Sequence, residues 1–534
     1  MLLKNTFLFT LTLLLSQSIF AQSDTTKIPT NWHTLDLQTS GYFGVSLDKA
    51  YDLVKNKKSK TVIVAVIDSG IDTAQTDLQG ILWVNPKEIA GNGIDDDKNG
   101  YIDDIHGWNF LGAKNGTQII TETSEEIRMY PIWKQKFSLV QNQKTNPKEY
   151  KEFLKLKALR DTTVNRAEKE LKNLKPFAAG LLASSYFIFR DLKIDTAKGF
   201  TLADIQNANI TNDTTQNAKA FWVSILSRDP SANSNSVKQE IKDYADKLER
   251  DVNPDLALRK RIMGDDWEQN TSKFYGNNIL KASNASHGTA VAGLIGANSN
   301  NNYGIKGIAN NVKIMALRAV PDGDEYDKDI ANAIIYAVKN GAKIINMSFG
   351  KKISPQKKWV DAAFKYAAKK KVLLVQAAGN EGESLDSIAK YPNDIFADGS
   401  IKDAPNVINV GASSAKKDEH LAADFSNYSK TDVDIFAPGA QVTSINLNKE
   451  FITANGTSFA SPVTAGVAAL VLSYYPKLTA AQLKNVLLKS AAKADGLQVL
   501  KPGKAEEKVP FSSLSKTGGI VNAYEALKMA GTLP

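Results

Sequence analysis

Four polar residues stand where an apolar segment of the chain begins or ends. Asp68 terminates a β-branched run, and His287 opens the segment Ser-His-Gly-Thr-Ala-Val-Ala-Gly-Leu-Ile-Gly-Ala. Asn380 follows Gln-Ala-Ala-Gly, and Ser458 lies in Asn-Gly-Thr-Ser-Phe-Ala-Ser-Pro, just before a long apolar stretch. A hydroxyl, an imidazole, a carboxylate and an amide donor are the groups that acyl transfer by a serine nucleophile requires.

Each of these residues can be given a role in that chemistry. His287 would take the proton of the Ser458 hydroxyl near neutral pH, and Asp68 would fix the tautomer of the imidazole. The backbone N–H of Ser458 and the side-chain amide of Asn380 would stabilise the oxyanion. Taken singly, each residue has a plainer interpretation as a turn residue, a helix cap or a satisfied core histidine. The four together favour the catalytic interpretation.

Apolar runs predict the elements that would bring these residues together. Residues 61–67 form an uninterrupted run rich in β-branched residues, Thr-Val-Ile-Val-Ala-Val-Ile, which is typical of a strand buried on both faces of a parallel sheet. Similar runs occupy residues 312–317, 343–347, 372–377, 407–410 and 433–436, and helical patterns at 47–54, 327–339, 358–370 and 461–475 alternate with them. The alternation predicts an α/β fold, a doubly wound and mostly parallel sheet with helices on both faces. Polar groups at the carboxyl ends of its strands would then meet at one edge.

Three short motifs resemble the active-site signatures of the subtilase family. They are Asp68-Ser-Gly, His287-Gly-Thr and Gly456-Thr-Ser-Phe-Ala-Ser-Pro, in the order Asp, His, Ser. The segment Ala378-Gly-Asn is similar to the family's oxyanion segment. The resemblance spans about residues 45–90 and 276–530. It implies a subtilisin-like fold and a serine endopeptidase that forms an acyl-enzyme at Ser458.

The same resemblance implies where a substrate would lie. Asn346-Met-Ser-Phe-Gly is similar to the family's strand that pairs with an extended substrate, so Ser348 and Gly350 would supply part of that pairing. Ala377, Ala378 and Gly379 would line one wall of the primary side-chain pocket. Their small side chains predict a roomy pocket.

A second sharp feature is the acidic segment at residues 92–104. Its candidate oxygen ligands are Asp95, Asp97, Asn99, Asp103 and Asp104. The alternation of the first three, followed by Gly100, resembles the start of a calcium loop. The segment departs from an EF-hand because His106 stands where the bidentate glutamate belongs. We predict a structural calcium ion here, with an acidic turn held by Asx hydrogen bonds as the alternative, and no cofactor for catalysis.

Composition divides the chain into five predicted segments. They are a signal peptide (1–21), an N-terminal lead (22–44), the first part of the catalytic domain (45–104), a mainly helical insert (105–275) and the second part of the catalytic domain (276–534). Lys4, the apolar run at 7–15 and Ala21 are typical of a secretory signal. Within the insert, helical spacing predicts separate helices at 148–159, 166–174, 177–189 and 237–248.

Composition also excludes several functions. The chain has no cysteine, which excludes disulfides, thiolate metal sites and a thiol nucleophile. The formal net charge is +9, but the lysines are spread along helical stretches and do not gather with aromatic residues, which favours a solvated basic surface over a specific nucleic-acid site. Beyond the signal peptide, we find no apolar run that predicts a membrane span.

These observations predict a monomeric, exported serine endopeptidase, periplasmic or secreted, that acts on proteins and peptides. Two other functions stay open. One is a non-catalytic, peptide-binding relative with the same fold. The other is a basic adhesion or nucleic-acid-binding protein that works through the insert.

Overall fold

The computed structural model describes residues 28–229, 232–299, 301 and 303–533. The predicted signal peptide lies outside these residues. The chain divides into two units. The larger contains Lys27–Glu125 and Ala257–Pro534, and the smaller contains Glu126–Leu256.

The larger unit is built on a parallel sheet. Its strands, in chain order, are β1 (Val62–Asp68), β2 (Gly107–Asn109), β3 (Val312–Arg318), β4 (Ile344–Met347), β5 (Leu373–Ala377), β6 (Val407–Ser413), β7 (Ile435–Pro438), β8 (Val442–Ile445), β9 (Phe451–Ala454), β10 (Ala492–Lys493), β11 (Gln498–Leu500), β12 (Lys508–Pro510) and β13 (Gly519–Ile520). In the described part of the chain, nine of them form one sheet in the order β10-β13-β7-β6-β5-β4-β1-β3-β2. The strands pair in parallel except at the β10 edge.

The six predicted strands all lie in this sheet, and their ends differ from the prediction by at most three residues. β2, β10 and β13 were not predicted. They are two or three residues long, which is too short to show an apolar run.

Helices cover both faces of the sheet. In chain order the helices are α1 (Leu37–Ser40), α2 (Leu47–Val54), α3 (Glu125–Lys136), α4 (Val140–Thr145), α5 (Pro147–Leu192), α6 (Leu202–Gln206), α7 (Asp213–Leu226), α8 (Ser234–Val252), α9 (Leu258–Met263), α10 (Ser286–Gly296), α11 (Asp327–Lys339), α12 (Lys357–Lys369), α13 (Thr457–Tyr474), α14 (Ala480–Lys489) and α15 (Ala523–Ala530). Val64 and Val66 of β1 pack in one apolar cluster with α10 and α13. Ala65 and Ile67 pack in another with α11 and α12. The predicted doubly wound α/β fold is therefore confirmed.

The buried helix α13 carries the Ser458 motif at its N-terminus. Among the described residues it is the one helix that is long and apolar enough, by length and composition alone, to cross a membrane, and 89% of that stretch is buried inside the molecule. Such burial is typical of a core helix in a covered sheet.

The smaller unit is helical and has its own apolar clusters. Leu181 and Ile188 of α5 pack with Trp222 of α7, while Leu171 packs with Leu248 of α8. The unit is shorter than the predicted insert, because residues 105–125 and 257–275 belong to the larger unit. α5 runs for 46 residues where three separate helices were predicted. Residues 160–165 contain neither glycine nor proline, so nothing in them ends a helix.

Candidate active site

The Asp68 carboxylate lies beside the His287 imidazole. Asp68 is the last residue of β1 and is 2% exposed, and its Oδ1 lies 2.8 Å from His287 Nδ1. Gly288 allows this approach, since a Cβ there would lie 2.2 Å from the carbonyl oxygen of Gly70 and 3.1 Å from Asp68 Cβ. The backbone N–H of Ser69 also donates to Asp68 Oδ1, at 2.7 Å. The end of β1 and the first turn of α10 thus fix the carboxylate and the imidazole together.

This pair sets the protonation of the imidazole. Burial lowers the pKa of His287, but the charge of Asp68 and its hydrogen bond together outweigh this effect, so the pKa is raised from its usual value of 6.5. Because Nδ1 faces the carboxylate, Nε2 points away from it. The side chain is 39% exposed, which leaves the imidazole accessible to a substrate.

Ser458 is the second residue of α13, where a helix supplies no internal acceptor for the backbone N–H. In the described part of the chain its hydroxyl donates to the carbonyl oxygen of Ser348 at 3.2 Å, and not to His287. The ring of the next residue, Phe459, lies 6.4 Å from the imidazole, centroid to centroid. The structure therefore brings the start of α13 next to His287.

Pro462 lies in the second turn of α13. The helix had been predicted to start at residue 461, which would have placed this proline in the first turn. It has no N–H to donate to the carbonyl four residues earlier, that of Ser458. The hydroxyl of Ser348 donates to this carbonyl instead, at 2.9 Å. Asn346 completes the link, because its Nδ2 donates to Ser348 Oγ at 2.9 Å and its Oδ1 accepts from Ser461 Oγ at 2.8 Å. The end of β4 is thereby tied to the first turns of α13.

Hydrogen bonds also fix the direction of the Asn380 amide. The backbone N–H and the hydroxyl of Thr457 both donate to Asn380 Oδ1, each at 2.8 Å. Since a backbone N–H can only donate, the amide atom that faces it must be the oxygen. The amide nitrogen is left to point elsewhere, and it lies 3.6 Å from where a Cβ on Gly456 would stand, beside Ser458. An N–H donor of Asn380 is therefore close to the predicted nucleophile.

The predicted substrate-binding residues leave the sheet side by side. β4 and β5 are neighbours in register, with Met347 opposite Gln376. Ser348 and Gly350 follow β4. Ala377 is the last residue of β5, and Ala378 and Gly379 follow it in the same buried segment. Two adjacent backbone segments therefore emerge at the edge that holds Asp68 and Asn380.

The acidic segment folds into a loop whose carboxylates point in different directions. Asp95 and Asp97 come together with Glu88, each offering an oxygen atom within 4.8 Å of the others. Asp103 is not part of this group, and its two oxygens accept the backbone N–H groups of Gly91 and Gly93 at 2.8 and 2.9 Å.

Asn99 and Asp104 bind each other and are not part of this group. Asn99 Nδ2 donates to Asp104 Oδ2 at 3.0 Å, and Asn85 and Tyr336 also donate to the Asp104 carboxylate. Burial raises the pKa of Asp104 to about 6, although these hydrogen bonds oppose the shift. The structure thus brings two of the five predicted ligands together with an unpredicted one.

Sequence reasoning missed several residues that position the site. Thr457 orients Asn380, the pair Asn346 and Ser461 holds β4 to α13, and Glu88 joins the acidic group. Thr457 and Ser461 lie inside a motif that was identified, so their polar side chains were a usable signal. Glu88 had none, because it precedes the alternating pattern.

Comparison with known proteins agrees with this geometry. A model of the Subtilase family matches residues 59–507. The thermophilic serine proteinase of Bacillus sp. (strain AK1) is 41% identical over 189 residues, covering 35% of this chain and 42% of that protein. The cell wall-associated protease of Bacillus subtilis (strain 168) is 36% identical over 219 residues, covering 41% and 22%. Subtilisin DY of Bacillus licheniformis is 35% identical over 213 residues, covering 38% and 70%. The family match spans most of the chain, and the chain belongs to the subtilase family.

Proposed function

We propose that the chain is an exported serine endopeptidase that hydrolyses peptide bonds of proteins through Asp68, His287 and Ser458. The observation that carries this proposal is the hydrogen bond between Asp68 and His287 beside the N-terminus of α13. A carboxylate that fixes Nδ1 leaves Nε2 as the proton acceptor, which a serine hydroxyl needs in order to become a nucleophile.

The reaction follows from these positions. An extended substrate pairs with the backbone at 348–350, and its N–H groups compete for the Ser348 carbonyl that now accepts from Ser458. The freed hydroxyl turns to His287, which takes its proton as Ser458 Oγ bonds to the carbonyl carbon. The N–H of Ser458 and the Asn380 amide stabilise the oxyanion. His287 then protonates the leaving amine as the C–N bond breaks, and a water molecule hydrolyses the ester by the same steps.

The names of the relatives support the substrate class and export. They are called proteinase, protease and subtilisin, and one is called cell wall-associated. Together with the predicted signal peptide at residues 1–21, this favours action on proteins outside the cytoplasm. Catalysis of this kind needs no cofactor.

Covalent labelling tests the nucleophile directly. A sulfonyl fluoride should abolish casein cleavage and add one adduct per chain. Peptide mass spectrometry should locate this adduct on Ser458. The Ser458→Ala chain, which is the control, should remain unlabelled. A wild-type chain that neither reacts nor cleaves casein would contradict the proposal and favour a non-catalytic, peptide-binding protein.

We also propose a structural calcium ion at Glu88, Asp95 and Asp97. Three carboxylates whose oxygens lie within 4.8 Å of one another match the hard oxygen ligands that calcium prefers. Loop backbone N–H groups hold each carboxylate, for example Asp97 N on Glu88 Oε1 at 3.1 Å and Gly100 N on Asp95 Oδ2 at 2.8 Å. An ion would offset the repulsion between these three charges.

Calcium should therefore raise the melting temperature by several degrees, because an ion at one hundred times its Kd stabilises the fold by about 2.7 kcal/mol. Scanning calorimetry with and without millimolar calcium measures this effect. The rise should be reduced in Glu88→Gln and kept in Asp495→Asn, a change at an exposed aspartate of the larger unit. An equal rise in the Glu88→Gln chain, or no rise in wild type, would contradict the site.

A further inference from the structure

The side chain of Lys390 lies between the two segments that flank the predicted primary pocket. Its Nζ donates to the carbonyl oxygen of Ala377 at 3.0 Å. The same nitrogen lies 2.8 Å from the position that a Cβ on Gly379 would have, and Lys390 Cε lies 2.3 Å from that of Gly350. The room that these small residues leave is thus partly filled by the end of a lysine.

The backbone holds Lys390 in this place. Its neighbour Tyr391 exchanges two hydrogen bonds with Lys351, each 2.8 Å long, so residue 390 is fixed beside the segment after β4. At Gly350 and Gly379 any side chain would overlap the Lys390 side chain or its neighbours. Glycine at these two positions therefore leaves space for Lys390 as well as for a substrate.

The Lys390 ammonium group forms no direct ion pair with a carboxylate of the described residues. It has three N–H donors, and Ala377 accepts one of them. Among the residues that the structure describes, no carboxylate oxygen forms an ion pair with it within 4.0 Å. Glu381 and Glu325 act on its charge from farther away. Oε2 of Glu381 lies 2.6 Å from the same Cβ position on Gly379 and accepts a hydrogen bond from Asn427 Nδ2 at 2.6 Å. Two donors of a partly buried cation are thus available to a ligand.

The protonation states of Lys390 and Glu325 favour an anionic ligand near neutral pH. Burial lowers the pKa of Lys390 to about 8, although both glutamates oppose the shift, so the ammonium is mostly protonated at pH 7. Burial likewise raises the pKa of Glu325 to about 8, so this carboxyl group is mostly neutral there. A cation in a site that excludes water binds a carboxylate more strongly than water-exposed charges do.

We propose that the primary pocket takes an acidic side chain, so that peptide bonds on the carboxyl side of Glu or Asp are cleaved preferentially, with Lys390 pairing with the substrate carboxylate. The inference rests on the endopeptidase function proposed above and adds a substrate class to it. Lys390 contacts the substrate in this assignment and determines specificity, while Ser458, His287 and Asp68 perform the bond cleavage.

Peptides that differ only in the residue before the cleaved bond test this assignment. For wild type, kcat/KM should be about 10- to 100-fold higher with Glu than with Gln, the range expected for a hydrogen bond between charged groups. Lys390→Met should bring the ratio close to one, mainly through a lower kcat/KM for the Glu peptide, and Lys390→Glu should favour Lys over Glu. The matched control Lys339→Met removes an exposed lysine from the last turn of α11 and should keep the wild-type ratio.

The wild-type chain alone supplies a second measurement, in case the Lys390 variants do not fold. Mass spectrometry of an unfolded protein digested to limited extent should show cuts predominantly after Glu and Asp. If peptides are cleaved but Glu is not preferred to Gln, or if Lys390→Met keeps the preference, the pocket assignment is overturned while the endopeptidase function stands. If Ser458 is not labelled and no peptide is cleaved, the proposed function fails and this inference fails with it.

Discussion

Replacing Ser458 by alanine is expected to lower kcat for peptide hydrolysis by about one-million-fold, the size known for the nucleophile of subtilisins. The hydroxyl is the atom that bonds to the substrate, so without it His287 can activate only a water molecule. KM should change little, because the backbone segments that bind the substrate are untouched. Stopped assays with a fluorogenic peptide at high protein concentration measure the residual rate.

The same change should leave the fold intact. Among the described residues, Ser458 Oγ makes a single hydrogen bond, 3.2 Å long, to the Ser348 carbonyl. Its loss costs about 1 kcal/mol of the free energy of unfolding. Ser473→Ala is a matched control, because this serine bonds a carbonyl within α13 and should keep full activity. Residual hydrolysis by Ser458→Ala should fall further when Asn380→Leu is added, since the oxyanion donors act without the nucleophile. Activity of Ser458→Ala within tenfold of wild type would point to another nucleophile.

The position of the catalytic groups could be predicted because residues at the ends of parallel strands lie close together in space. Asp68 ends β1, and Asn380 follows β5 by three residues. In a parallel sheet both strand ends lie at one edge, so an apolar run followed by a polar residue locates the edge without any knowledge of the contacts. His287 was located in the same way, as the polar start of an apolar segment that forms α10.

Side-chain direction could not be predicted from the same patterns. Asp95, Asp97 and Asp103 look alike in the sequence, yet the first two lie with Glu88 and the third is not part of that group. Spacing gives residue type and order, whereas direction depends on backbone turns such as that at Asp103, whose φ is 52°.

Lys390 shows the same limit over a longer range. It is one of 66 lysine and arginine residues, and its environment is built by segments 13 and 40 residues earlier in the chain. No local pattern distinguishes it from a solvated lysine. Its burial, its hydrogen bond to the Ala377 carbonyl and the two glycines beside it become visible only when β4, β5 and the 390–391 segment are placed together.

Replacing Asp68 by asparagine is expected to lower kcat by about ten-thousand-fold, as the corresponding change does in other serine proteases. The N–H of Ser69 and Nδ1 of His287 both contact Oδ1, so the amide oxygen of asparagine would take this position. A hydrogen bond from Nδ1 could then remain, but the negative charge that stabilises the imidazolium would be gone. Nε2 would therefore be a weaker acceptor for the proton of Ser458. Single-turnover kinetics with the peptide substrate measure this loss.

The pH dependence separates this explanation from a general loss of structure. In wild type, Asp68 raises the pKa of His287, so activity should be lost as pH falls through a value above the usual 6.5. In Asp68→Asn the burial of the imidazole remains but the charge is gone. The pKa should then fall below 6.5, and the acid limb of kcat/KM should move to lower pH. Asp72→Asn is the control, because the carboxylate of Asp72 pairs with Lys281 and does not contact the imidazole. Asp72→Asn should leave the acid limb of kcat/KM at its wild-type pH even if the change destabilises the fold. An acid limb that does not move in Asp68→Asn would contradict the role of the Asp68 carboxylate.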